Sequence, residues 1–185
     1  MNRLRIAIFA TSALALVSAC EKPADNAAAP TEQATKAAGE DTIGSGVAKG
    51  SKFEAAVKAA GLDATLAGPG PYTVLIPADA AFEKLPAGAL DTLMKPESRG
   101  DLTGLLSYHI LPGTMLGADI AKAIDAGGGK AQIATMGGGT VTATKEGDKI
   151  VLTDQAGTKA IVTTADTKRS NGVVHEIDSV LMPTK

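Results

Sequence analysis

The stretch YTVLIPADAAF at residues 72–82 contains the clearest change from one type of secondary structure to another. Residues 72–76 form a short apolar, β-branched run typical of a buried strand, and the turn cluster GPGP precedes them. Asp79 follows as a residue that can accept backbone N–H bonds, and it predicts a short helix over residues 80–85. We therefore interpret Asp79 as a structural helix cap and not as a catalytic carboxylate.

Helical patterns lie on both sides of this stretch. Ser51 with Glu54 three positions later forms a capping box, and apolar residues at helical spacing follow it up to a stop at Gly61. Further helices are predicted over residues 89–94, from Ser98 to the Pro112-Gly113 pair, and over residues 118–125.

From Ala131 the apolar period changes to two, which is typical of strands joined by hairpin turns. Strands are predicted at residues 132–136, 140–144, 149–153, 159–164 and 173–181, with Asn171-Gly172 introducing the last of them. Helices followed by an antiparallel β region indicate an α+β domain.

Three segments, in this order, resemble the motifs of a fasciclin-like domain: YTVLIPADAAF at 72–82, LSYHILPG at 106–113 and NGVVHEIDSVL at 171–181. Three ordered motifs are far more specific than any one alone. The resemblance spans about residues 43–183, although Ala78, Glu176 and the Lys168-Arg169 pair depart from the usual pattern. It implies a wedge-shaped β-sandwich with the N-terminal helices packed along one edge.

The resemblance also implies a candidate binding pair, Tyr108 and His109, because animal fasciclin domains with a Tyr-His segment have been proposed to contact integrins. The residue pattern favours another role. His109 continues the apolar helical face of Leu102 and Leu105, so we expect its ring to be buried and hydrogen-bonded to backbone.

The remaining polar residues of the motifs are interpreted as structural. His175 alternates with Val173 and Ile177 on an apolar face, and Asp178 lies near the end of the same strand. The chain has two histidines, and its single cysteine, Cys20, lies near neither of them, so no metal site is predicted. We find neither a nucleophile elbow nor a phosphate-binding glycine loop, and we predict no catalytic residues.

Residues 1–19 are predicted to be a cleavable signal peptide. Arg3 and Arg5 precede an apolar run over residues 6–17, which is shorter than the roughly 20 residues of a membrane-spanning helix. The segment LVSAC, which ends at Cys20, resembles a bacterial lipobox and implies lipid attachment to that cysteine. An ordinary signal peptide cleaved near an unmodified cysteine is the alternative.

Residues 20–42 are rich in Ala, Thr, Glu, Lys and Pro and are predicted to form a flexible tether. The folded domain is then expected over residues 43–185. Glu21 beside the lipid-bearing cysteine favours the outer membrane over the inner one, by resemblance to enterobacterial sorting. We therefore expect an exported protein in the periplasm or at the cell surface.

Composition narrows the classes of partner. The net charge is −2 and only five residues are aromatic (three Phe, two Tyr, no Trp), which disfavours nucleic acid. The leading hypothesis is a non-enzymatic binding or adhesion module that contacts a protein or a polysaccharide. No cofactor is predicted, but some fasciclin-like domains bind carotenoids, so carriage of an apolar small molecule is the alternative. An envelope hydrolase ranks last, since no acid–base constellation is present.

Overall fold

The computed structural model of the chain describes residues 41–184. Its helices are α1 Ile43–Gly46, α2 Lys52–Ala60, α3 Asp63–Ala67, α4 Asp79–Glu83, α5 Ala89–Leu93, α6 Arg99–Tyr108 and α7 Gly117–Ala126, with a 3-10 turn at Pro96–Ser98. Its strands are β1 Tyr72–Pro77, β2 Ile110–Pro112, β3 Lys130–Ala134, β4 Thr140–Glu146, β5 Lys149–Thr153, β6 Lys159–Arg169 and β7 Gly172–Ile177. The predicted α+β class is confirmed.

The strands form one seven-stranded sheet in the order β2-β1-β7-β6-β5-β4-β3. β1 and β7 pair in parallel, from Tyr72 opposite Gly172 to Pro77 opposite Ile177, and the other neighbours are antiparallel. β6 belongs to both halves of the sheet, and irregular pairing along it lets the sheet bend. The sheet therefore curls back on itself, as a wedge-shaped sandwich requires.

The two ends of the curled sheet nearly meet. The Met136 N–H, just after β3, donates to the carbonyl oxygen of Ile110 in β2 at 2.8 Å. This bond joins the first and last strands in the sheet order, so the architecture is close to a closed barrel.

Two apolar cores lie on opposite faces of the β1–β7 pair. On one face α2 and α6 contribute Phe53 and Leu102, which belong to the same core as Val74. On the other face Leu75 belongs to a second core with Ile120 of α7 and with side chains of β4 and β5. Because both faces of β1 are covered, its sequence is a continuous apolar run and not an alternating one.

Several boundaries differ from those predicted. The helix expected to run from Ser98 to the Pro112-Gly113 pair ends at Tyr108, and residues 110–112 form β2 because β1 offers them a pairing partner. β6 extends to Arg169, beyond the expected residue 164, and β7 stops at Ile177, before the expected residue 181. The short helices α1 and α3 were not predicted from the sequence pattern.

Asp79 does not cap the helix that follows it. Ala78 is the N-cap of α4, and it makes no side-chain cap bond. The Asp79 Oδ1 instead accepts the backbone N–H of Lys52 at 2.9 Å, in the first turn of α2. A carboxylate there satisfies a free N–H of a helix end, so Asp79 joins two helices that are far apart in sequence.

The predicted signal peptide, Cys20 and the tether as far as residue 40 lie outside the described residues. The final two tether residues are structured: Thr42 is 6% exposed, and its Oγ1 accepts the Ser45 N–H at 3.2 Å as the N-cap of α1. Across residues 41–184 no helix is both long enough and apolar enough to span a membrane.

Candidate functional site

His109 lies at the C-terminal end of α6 and is buried, with 1% of its surface exposed. Its Nδ1 donates to the carbonyl oxygen of Leu105 at 2.8 Å, and its Nε2 accepts the N–H of Leu181 at 3.1 Å. Since one partner is an acceptor and the other a donor, the ring is neutral and its tautomer is defined. Burial lowers the pKa of His109 to about 4.

Tyr108 is also fully buried, and its hydroxyl donates to the carbonyl oxygen of Thr140 at 2.7 Å. Burial raises the pKa of the Tyr108 phenol. The glycine turn before β4 packs directly on it, since a Cβ placed on Gly139 would lie 2.6 Å from the ring. The structure therefore directs the side chains of both Tyr108 and His109 into the domain.

His175 in β7 is the second buried histidine, with no exposed surface. Its Nε2 donates to the carbonyl oxygen of Met115 at 2.8 Å, and its Nδ1 accepts the N–H of Asp166 at 3.2 Å. Asp166 has a φ of 62°, and its Oδ1 accepts the N–H of Gly117 at 2.7 Å. His175 thus supports an irregular segment of β6 and, through Asp166, the start of α7.

Sequence reasoning missed Asp166. Aspartate is one of the few non-glycine residues that adopts positive φ readily, but nothing local in the sequence shows that β6 needs such a residue at this point. The requirement arises from the irregular pairing of β6 with β7, between Thr164 and Thr167.

Asn171 does more than form a hairpin turn. It is 5% exposed, its Oδ1 accepts the N–H of Ile43, and its Nδ2 donates to the carbonyl oxygens of Leu66 and Gly68, each at 2.8 Å. Gly172 lies so close to β1 that a Cβ there would collide with the carbonyl oxygen of Tyr72. The Asn-Gly pair therefore joins α1, α3 and β1 at one end of the sheet.

Asp178 follows β7 and binds three groups. Its Oδ1 accepts the N–H of Ile161 at 2.7 Å and the hydroxyl of Ser179 at 3.1 Å, and its Oδ2 pairs with the Lys84 ammonium at 3.1 Å. Burial acts to raise the pKa of Asp178, but the three donors outweigh burial and lower it below the ordinary value.

The motif residues are not gathered around a reacting centre. Tyr108, His109, Asn171, His175 and Asp178 each bind main-chain groups of the same domain. Within residues 41–184 no group of three or more His, Cys, Asp or Glu side chains is placed to hold a metal ion. Through these hydrogen bonds, the motif side chains join main-chain segments of the domain to one another.

Two of the surface cavities formed by residues 41–184 are lined by none of these motif side chains. The first, which we call the α1–α3 cleft, has a volume of about 250 Å³. Its apolar lining consists of Gly44, Val47, Val57, Ala64 and Ala67, and its charged lining consists of Glu54, Lys58 and Asp63.

The second cavity, which we call the sheet notch, has a volume of about 400 Å³ and is lined by residues 148–150 and by residues of the 161–165 segment. It lies where the pairing of β5 with β6 ends at Val151 opposite Ile161.

Comparisons with known proteins agree with the three motifs. A family model described as the fasciclin domain matches residues 48–183. Protein sll1483 of Synechocystis is 34% identical over 177 residues, which cover 94% of this chain and 87% of the relative. Transforming growth factor-beta-induced protein ig-h3 of Sus scrofa is 38% identical over 132 residues, 71% of this chain and 17% of that much longer protein.

Among solved structures, a FAS1 domain pair from the insect cell adhesion molecule Fasciclin I matches with a TM-score of 0.46 and 25% identity, covering 60% of this chain and 36% of that one. The family model spans most of the folded part, and the Synechocystis relative is similar along nearly its whole length. The chain belongs to the fasciclin domain family.

Proposed function

We propose that this chain is an envelope-anchored, non-enzymatic module that binds a protein or a polysaccharide at the cell surface. The observation that carries the proposal is the use of the motif side chains. Tyr108, His109 and His175 are fully buried and bonded to the backbone, so they are not available to a substrate. A domain whose reactive groups hold its own fold acts through its surface.

Family membership supports the adhesive role by analogy. One matched structure comes from a protein described as a cell adhesion molecule. We extend that role to this chain as part of the proposal.

The proposed anchor is lipid on Cys20, at the outer membrane in preference to the inner one. The contacts of Asp41 support one position for the junction between such a tether and the domain. Asp41 pairs with Arg169 at 2.6 Å, and its carbonyl oxygen accepts the N–H of Ser170 at 2.8 Å. A tether would therefore join the domain beside the turn between β6 and β7.

Deletion of the gene followed by complementation tests the proposal. Wild-type protein should restore cell aggregation or surface attachment and should fractionate with the outer membrane. Cys20→Ser protein should become soluble and should fail to restore attachment, because attachment requires the module to be held at the envelope. Attachment that is unchanged by the deletion, on every surface tested, would contradict the adhesive role. Cys20→Ser protein that stays with membranes would contradict the anchor alone.

Carriage of an apolar molecule such as a carotenoid stays a prediction from the sequence. The α1–α3 cleft, at about 250 Å³, is smaller than the roughly 300–1,000 Å³ of typical small-molecule sites, whereas the sheet notch, at about 400 Å³, falls within that range. Protein lacking residues 1–20, produced in a carotenoid-making host, should purify with a visible absorption band if carriage occurs. Colourless protein there and after mixing with carotenoid would exclude it.

A further inference from the structure

The α1–α3 cleft is an apolar depression that the domain leaves unfilled. Val47 and Val57 form its buried part, at 7% and 5% exposure, while Ala64 and Ala67 on α3 are exposed at its side. Two alanines three positions apart lie on one side of a helix, so they present a smooth wall without long side chains. The cleft has room for one large aliphatic side chain.

The walls of the cleft are held rigidly. A Cβ placed on Gly44 would lie 3.1 Å from the backbone nitrogen of Ala67, so α1 packs directly against α3. Asn171 bonds to the first residue of α1 and to the last turn of α3, which ties both helices to the sheet. A preformed cleft binds a side chain without the cost of ordering its own walls.

Of the three charged residues that line the cleft, two pair with each other. Glu54 and Lys58 form an ion pair at 2.7 Å, and Glu54 also accepts the N–H of Gly50 at 2.7 Å. Within residues 41–184 the structure gives the exposed Asp63 carboxylate no hydrogen bond or ion pair. The lining therefore carries one unmatched negative charge beside an apolar depression.

We propose that the α1–α3 cleft binds a large aliphatic side chain of a partner protein, with a neighbouring lysine or arginine of that partner directed at Asp63. A side chain inserted in a pocket is the usual anchor of a protein interface, and complementary charge at its rim selects the partner. No aromatic residue lines the cleft, so it lacks a stacking surface for a sugar ring. The inference rests on the proposed function only for its adhesive purpose.

Short peptides test the site in solution with protein lacking residues 1–20. The probe is acetyl-Gly-Leu-Lys-Gly-amide, with Leu-Glu and Ala-Lys versions as matched peptides. Methyl and amide NMR shifts report where each one binds. We expect the Leu-Lys peptide to shift Val47, Val57, Ala64 and Ala67 with a dissociation constant on the order of millimolar. The Leu-Glu peptide should bind about five-fold more weakly, and the Ala-Lys peptide should produce no shifts there.

Variants of exposed positions separate the two parts of the site. Ala64→Leu fills the cleft and should abolish binding, whereas Ala118→Leu, an exposed alanine in the first turn of α7, should not change it. Asp63→Asn should make Leu-Lys and Leu-Glu peptides bind equally. Asp91→Asn changes an exposed acid in the first turn of another five-residue helix and should have no effect.

Lys58→Ala gives a result in the opposite direction. It removes the ion-pair partner of Glu54 and leaves that carboxylate with the Gly50 N–H and the charge of nearby Lys49. The lining loses one positive charge, which should strengthen Leu-Lys binding about two- to five-fold. Shifts outside the cleft, equal binding of Leu-Lys and Leu-Glu by wild-type protein, or no effect of Ala64→Leu would each overturn the inference. Peptide binding combined with unchanged attachment of a deletion strain would leave the site standing and refute the adhesive role.

Discussion

The two histidines are both buried and bonded to backbone groups, but they stabilise different parts of the molecule. His109 joins the end of α6 to the segment after β7, and both of its partners, Leu105 and Leu181, lie in a buried core. His175 joins the loop before α7 to β6, where Asp166 is exposed. His109 therefore connects two buried segments, whereas His175 connects the exposed segment around Asp166 to the core.

The pair also shows how partners choose a tautomer. His109 carries its proton on Nδ1 because Leu105 offers a carbonyl oxygen, and His175 carries its proton on Nε2 because Met115 does. In each ring the other nitrogen accepts a backbone N–H. A charged imidazolium has no acceptor nitrogen, so both contacts require the neutral ring.

Of the variants considered, replacement of His109 with alanine should lower the free energy of unfolding most. His109→Ala leaves the Leu105 carbonyl and the Leu181 N–H buried without partners and opens a cavity. We expect a loss of about 3–5 kcal/mol in the free energy of unfolding, measured by urea denaturation. A loss below about 1 kcal/mol would show that water or a neighbouring group replaces the ring.

The pH dependence of stability should follow His109. The unfolded histidine binds a proton below pH 6.5 and the folded one only below about pH 4, so between these values the unfolded state holds more protons. The free energy of unfolding should therefore fall as pH falls through this range, by up to about 3 kcal/mol. Urea denaturation from pH 7 to 4 measures it, and His109→Gln should show a shallower slope than wild type. An equal slope would assign the effect to other groups.

His175→Ala should cost less than His109→Ala, about 2 kcal/mol, because the freed N–H of Asp166 lies on an exposed strand and can reach water. The loss of stability should be concentrated in the exposed segment around Asp166. Hydrogen exchange should show faster opening of the Asp166 and Gly117 amides, while amides of α6 keep their protection. Equally faster exchange of amides throughout the domain would mean that His175, like His109, connects two buried segments.

The glycine variant of Asp166 should show the smallest net effect. Asp166→Gly removes the strain of a positive φ but also removes the bond to Gly117, and these two changes offset each other within about 0.5 kcal/mol. Asp166→Ala keeps the strain and loses the bond, so it should cost about 2 kcal/mol. Thermal melting of both variants separates the contributions, and equal melting temperatures would show that strain is absent.

Local signals were sufficient for some elements. Residues 149–153 form a strand with the predicted bounds. Ser51 accepts the Glu54 N–H at 3.1 Å, which is one half of the predicted capping box, while the Glu54 carboxylate accepts the N–H of Gly50 in place of that of Ser51. Gly61 ends α2 in the left-handed conformation, with a φ of 75°. Each of these signals acts over only a few residues, so each is readable without knowledge of the fold.

Other elements depend on groups that are distant in sequence. Residues 110–112 continue an apolar helical pattern, yet they become β2 because β1 lies beside them. Asp79 has the sequence context of an N-cap, but its carboxylate meets the first turn of α2 and not of α4. Burial and pairing with a partner outweigh local preference at both positions.

The sequence by itself determined the α-then-β order, the Ser51 and Gly61 caps of α2, the turns and the family. Only the tertiary structure decided the parallel pairing of β1 with β7, the tautomers of His109 and His175, and the existence of the α1–α3 cleft. The physical reason is distance along the chain. Asn171 binds Ile43 across 128 positions, and His175 binds Met115 across 60. Such partners meet only when the fold brings them together.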